Sequence, residues 1–129
     1  MAAGKMSTPL ARVRGLGAAK SGTEHFWHQR LTAMANIPLT IAFVVIVASL
    51  MGRNHAAVVQ ILGSPFVAVV MLLFILSATI HMRIGMQVII EDYVHDDVAK
   101  FTLLIANTFF AIVVALTSAF AILKLSFGV

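Results

Sequence analysis

The chain is 129 residues long, 60% hydrophobic and only 11% charged, with a mean hydropathy of +1.00. Soluble domains carry about 25% charged residues, so this composition excludes an ordinary water-soluble domain, and it excludes disorder, which needs low hydrophobicity and high charge. The formal charge is +4, but nine scattered Lys and Arg are too few to track a phosphate backbone, and the lack of cysteine excludes disulfides, thiolate-held iron–sulfur clusters and covalent c-type haem attachment.

Residues 1–22 are basic, rich in Ala and Gly and free of acid. That is the look of a mitochondrial transit peptide, but the segment lacks the apolar core of a secretory signal. It is read here as a cytoplasmic N-terminal segment preceding a membrane domain over 23–129. The first uncharged window, 31–51 (LTAMANIPLTIAFVVIVASLM), is long enough to cross a hydrocarbon core of about 30 Å. Pro38 lies within it and removes one backbone donor, which membrane helices tolerate with a mild kink. A short connection over 52–63 follows, and Ser64-Pro65 makes a good helix start. The second window is densest over 66–80 (FVAVVMLLFILSATI) and resumes after His81 and Arg83; the third runs over 101–123 (FTLLIANTFFAIVVALTSAFAIL). Continuous apolar runs without period-2 alternation argue against a membrane barrel. The expected fold is all-α and integral to the membrane, with transmembrane helices over 27–51, 64–92 and 99–125 forming part of a heteromeric bundle. Lys5, Arg12, Arg14, Lys20 and Arg30 precede the first span, whereas only Arg53 lies in the first connection. The positive-inside rule then puts the N-terminus in the cytoplasm and the C-terminus outside.

Ionisable residues inside a bilayer need a reason. His81 is the deepest, roughly 15 Å below the end of the second span. Ser77, His81 and Gly85 are spaced i, i+4, i+8 and share one helix face. Two readings stand: polar packing between helices, for which Ser, Gly and His are common, or a ligand to a flat cofactor that Gly85 leaves room for. Asp92 continues the face within about 20°, ~16–17 Å further along the axis. Tyr93 follows as a phenol donor at a position where Tyr is also an ordinary interface anchor. Arg83 points nearly opposite to His81 and is read as snorkelling to headgroups or pairing with an acid. Arg30 belongs to the positive-inside set or pairs with an anionic cofactor group. His25, His28, His55 and His95 are read as solvated, and Glu91, Asp96 and Asp97 as a solvated loop face. A six-coordinate haem needs two axial ligands, and the chain offers one imidazole at depth. A haem reading therefore requires a membrane partner.

The run His81-Met-Arg-Ile-Gly-Met-Gln-Val-Ile-Ile-Glu-Asp92-Tyr93 resembles the HxxxGxxxxxxDY signature of the small membrane-anchor subunit of succinate dehydrogenase. The run FWHQRLTA at 26–33 resembles that family's FxxxRxTA segment, and the resemblance covers about 22–125. It implies that His81 is an axial ligand to haem b, and so to its iron, the other ligand coming from the cytochrome b556 membrane subunit. It implies that Tyr93 hydrogen-bonds a ubiquinone carbonyl, that Asp92 lies at the quinone site and its proton supply, and that Arg30 pairs with haem propionates, on the His81–Asp92 side. Gly85 then packs against the haem. Arg83 departs from relatives with an aromatic residue there and is an extra propionate or lipid contact. FAD and iron–sulfur clusters are implied only in the flavoprotein and iron–sulfur subunits, where succinate is oxidised. The implied setting is the inner membrane of a bacterium, with the lipid bilayer, ubiquinone and these three subunits as partners and no nucleic acid. The competing readings are a fumarate reductase anchor, a small proton-coupled transporter and a haem-free assembly protein; the rim position of Asp92 weakens the transporter.

Overall fold

The computed structural model describes residues 8–14 and 21–128. Every regular element among them is helical: α1 (Pro9–Val13), α2 (Ser21–Leu50), α3 (His55–Gly63), α4 (Pro65–Tyr93) and α5 (Asp97–Phe127). Of the N-terminal segment over 1–22, residues 1–7 and 15–20 lie outside the described residues. Three helices are long and apolar enough to cross a membrane: Thr23–Leu50 within α2, α4 and α5. They correspond to the expected spans. α2 begins earlier than expected, at Ser21, and continues unbroken through Pro38.

The connection over 52–63 is a correction to the sequence reading, because most of it is the helix α3. Asn54 caps it: its side-chain oxygen accepts from the Ala57 backbone N–H at 2.9 Å, the ordinary role of Asn before a first turn. Nine residues rise only about 13 Å, too short to cross a bilayer. Ser64 ends α3, its hydroxyl donating back to the Ile61 carbonyl at 2.8 Å. Pro65 then opens α4 at its first turn, where a missing N–H costs nothing.

Of the acids read as a solvated loop face, Glu91, Asp96 and Asp97 are all exposed, but Glu91 lies on α4 and Asp97 on α5; Asp96 lies in the link and has a further role. Its carboxylate accepts from the Ala99 N–H at 2.7 Å and caps α5. Asp97 lies in the first turn of the same helix, where negative charge meets the positive end of the macrodipole.

α4 is the middle of a row. It packs against α2 on one side and α5 on the other, while α2 and α5 do not touch among the described residues. Partners across each contact show that neighbours run antiparallel. Phe43 stacks on Phe74, with ring centroids 4.6 Å apart, between α2 and α4. Asn107 of α5 donates to the Arg83 carbonyl of α4 at 2.9 Å. An open row buries little. Ala68, Ile84, Ile90, Ala111 and Ile122 are its buried apolar residues, and no described side chain is completely buried. Phe66, Met34 and Leu116 remain exposed; in a membrane such a surface meets lipid or other helices.

α3 folds against the far end of α5. A Cβ on Gly63 would come within 2.7 Å of the Leu125 carbonyl oxygen, and a backbone atom cannot swing aside. Gly63→Ala is therefore expected to lower stability by about 1–3 kcal/mol, measured as a drop in the thermal midpoint of the purified protein; an unchanged midpoint would show that this contact is dispensable.

Candidate functional site

Most hydroxyls in these helices are satisfied locally. Thr79, Thr102, Thr108 and Thr117 each donate to the carbonyl four residues earlier, at 2.6, 2.8, 3.0 and 2.7 Å. Such back-bonding lets a threonine sit in an apolar setting without a distant partner. Thr32 is different. It donates to the His28 carbonyl at 2.7 Å, and its oxygen also lies 3.1 Å from Nδ1 of His81 on α4. Its own backbone carbonyl accepts from Ser77 Oγ at 3.3 Å. Thr32 and Ser77 are buried.

The expected face of Ser77, His81 and Gly85 thus turns toward α2. Opposite it stands a polar row at helical spacing: Gln29, Thr32 and Asn36. The position a Cβ would take on Gly85 lies 3.6 Å from the Gln29 side-chain nitrogen, so Gln29 borders the space above Gly85. Gln29 Oε1 and Asn36 Oδ1 are buried with no hydrogen-bond partner, unusual for buried polar atoms. Two helices with such a seam gain specific register in lipid, and His81 is held within it by one ring nitrogen. Nε2 makes no hydrogen bond with the described residues.

The other sequence candidates are placed as follows. Arg30 is exposed, with its guanidinium 4.6 Å from the centre of the Phe26 ring. Because it is two residues from Thr32, it sits at nearly the depth of His81 but about 200° around α2, away from the α2–α4 seam. Asp92 and Tyr93 end α4, both exposed. Tyr93 continues the row Met82, Met86 and Ile90, which lines an apolar groove of about 430 Å³ with Leu103, Ala106 and Phe110 of α5. Arg83 is exposed and borders a shallow hollow with Thr79 and Ala111. Glu91 accepts from Gln87 at 2.8 Å. No hydrogen bond joins Arg30, Asp92 or Tyr93 to His81 among the described residues; they share one end of the row, since α2 begins where α4 ends.

No cluster of three or more His, Cys, Asp or Glu among the described residues is placed to hold a bare metal ion. One imidazole fits a group that brings its own in-plane ligands and asks the protein for axial ones.

An antiparallel row of apolar helices with a histidine-bearing polar seam defines an all-α, multi-pass integral membrane protein. The chain belongs to the succinate dehydrogenase/fumarate reductase transmembrane subunit family, whose model matches residues 4–116. It is 29% identical over 121 residues to the succinate dehydrogenase hydrophobic membrane anchor subunit of Paracoccus denitrificans, covering 94% of this chain and 93% of that one. It is 27% identical over 103 residues to the protein of the same name in Rickettsia bellii, covering 80% and 82%. It is 37% identical over 81 residues to the succinate dehydrogenase membrane anchor subunit of Reclinomonas americana, covering 60% and 68%. No solved structure matches the chain.

The sequence reading found His81 and the face it shares with Ser77 and Gly85. It missed Gln29, Thr32 and Asn36 as the opposing row. The signal was present, since these positions repeat at helical spacing within and just beyond the FWHQRLTA run.

Proposed function

We propose that this chain is the membrane anchor of a succinate:ubiquinone oxidoreductase in a bacterial inner membrane, with its N-terminus in the cytoplasm. In this reading it supplies one axial ligand to haem b and one wall of the quinone pocket, and docks the flavoprotein and iron–sulfur subunits. The carrying observation is the state of His81: it is held through Nδ1 inside the seam and makes no hydrogen bond at Nε2 with the described residues. A histidine serving only as packing between helices would be expected to satisfy both nitrogens. Family membership supports the same reading.

Each residue then has a task. His81 would hold haem iron through its Nε2 lone pair, and a helix of the cytochrome b556 subunit beside the open row would supply the other protein ligand. When bound, the haem offers a one-electron site near the quinone. Gly85 adds no side chain of its own beside His81, in a space bordered by Gln29. Arg30, exposed at the same depth, reaches propionates at the partner interface by charge-assisted hydrogen bonds. Tyr93 donates its phenolic proton to a quinone carbonyl, stabilising negative charge as it develops on that oxygen. Asp92, beside it at the rim, passes protons from the cytoplasm. The groove below Tyr93 accepts the apolar tail of the quinone. Succinate oxidation belongs to the partner subunits, with their FAD and iron–sulfur clusters.

Purification through a tag on this chain tests the assignment. The expected preparation carries three further subunits and reduces ubiquinone with succinate. Recovery of the chain from mild detergent without succinate-driven quinone reduction, while that activity stays in the remaining membranes, would overturn it.

A further inference from the structure

Thr32 carries the inference. Its hydroxyl has one proton and three neighbours: the His28 carbonyl at 2.7 Å, the Gln29 carbonyl at 3.2 Å and His81 Nδ1 at 3.1 Å. A carbonyl can only accept. The proton therefore goes to the nearer carbonyl, of His28, and the oxygen faces His81 as an acceptor. Nδ1 must then carry the hydrogen of the neutral ring, and the lone pair resides on Nε2. The hydroxyl itself is fixed, because the carbonyl it bonds belongs to the preceding turn of its own helix and Ser77 holds the Thr32 carbonyl at 3.3 Å. Thr32 is buried, so no bulk water stands ready to replace it.

We propose that Thr32 is the positioning residue of the haem ligand: its oxygen selects the Nε2-basic tautomer of His81, fixes the ring plane and sets how strongly the imidazole donates to iron. This rests on His81 being the axial ligand proposed above. A hydrogen bond accepted from the remote ring N–H raises ligand basicity. A more basic imidazole favours the ferric state and so keeps the haem potential low.

The test uses the whole complex, with haem potential and low-spin electron paramagnetic resonance as readouts. Thr32→Val keeps the shape and removes the acceptor. It is expected to retain haem, raise the midpoint potential and shift the resonance positions as the ring turns. Outer-shell partners are worth about tenfold or more in metal affinity; a tenfold effect falling on the ferric state alone shifts the ferric–ferrous equilibrium by ~59 mV for one electron. Thr32→Ser keeps the oxygen and is expected to restore both readouts. Should Thr32→Val fail to assemble, Thr32→Ala, which opens space instead of filling it, is read in the same way. Haem that depends on His81, with potential and resonances unchanged in Thr32→Val or Thr32→Ala, would overturn the role of Thr32 alone. A wild-type complex without haem, or haem untouched in His81→Ala, would overturn the ligand reading beneath it. A restored potential in Thr32→Ser beside a shifted one in Thr32→Val is what a merely structural threonine would not give.

Discussion

Tyr93→Phe is expected to slow succinate-driven ubiquinone reduction by about 10–100-fold while haem content and subunit composition stay unchanged. The factor follows from the loss of one hydrogen bond to a group that becomes charged, worth about 1.5–3 kcal/mol. Tyr93 is the last residue of α4 and 78% exposed, so removing its hydroxyl disturbs no packing within this chain. It also leaves the C-terminal cap intact, since that bond runs from the Val94 N–H to the Ile90 carbonyl at 3.0 Å. If Tyr93 were only an interfacial anchor, phenylalanine would retain nearly all of the rate. Steady-state assays over a range of quinone concentrations separate the cases: a donor in the transition state lowers kcat, whereas simple membrane anchoring alters neither kcat nor KM.

His81→Ala is expected to remove most of the b-type haem from the isolated complex, or leave it with an altered ligand set. The nearest other described histidine in the row is His28, exposed and one turn, about 6 Å, nearer the start of α2 than Thr32, so no second imidazole stands at the position of His81. The variant also leaves the Thr32 oxygen without its partner, although that hydroxyl keeps its bond to the His28 carbonyl. The local cost is a cavity beside Thr32 and Ser77, a few kcal/mol by comparison with other large-to-small changes. Haem quantified per mole of complex checks the prediction. His81→Met, which fills more of the space and offers a sulfur ligand, separates loss of ligation from loss of packing: a six-coordinate haem with changed resonances points to the iron, and assembly rescued without haem points to packing.

Much of this architecture was legible because lipid makes the rules simple. Uncharged windows of sufficient length gave the three spans, and the spacing of Ser77, His81 and Gly85 gave the face of α4 that turns toward α2. What escaped was whatever depended on the register between helices. Nothing local to FWHQRLTA tells Thr32 that His81 lies opposite, because that pairing follows from how α2 and α4 slide against each other. α3 escaped for another reason. Its apolar run is too short to read as a span, so length hid a helix that Asn54 and Ser64 in fact delimit. Asp96 was read as solvated and is exposed, but its cap was overlooked, because charge drew the eye in a short polar link where an Asp directly before a helix is also a natural cap. Arg30 teaches a related lesson. Its place before the apolar window suggested the membrane rim, but α2 begins nine residues earlier at Ser21, and the Thr32–His81 contact brings Arg30 to the depth of His81.

Haem held through His81 is the step on which the other assignments rest. It is checked by a reduced-minus-oxidised absorption spectrum of the complex isolated through this chain, wild type beside His81→Ala. A b-type haem signal is expected in the wild type and is lost or displaced in the variant. A wild-type complex active with succinate and quinone but without haem absorbance, or a haem signal identical in both proteins, would contradict it and leave His81 as a residue of the α2–α4 seam alone.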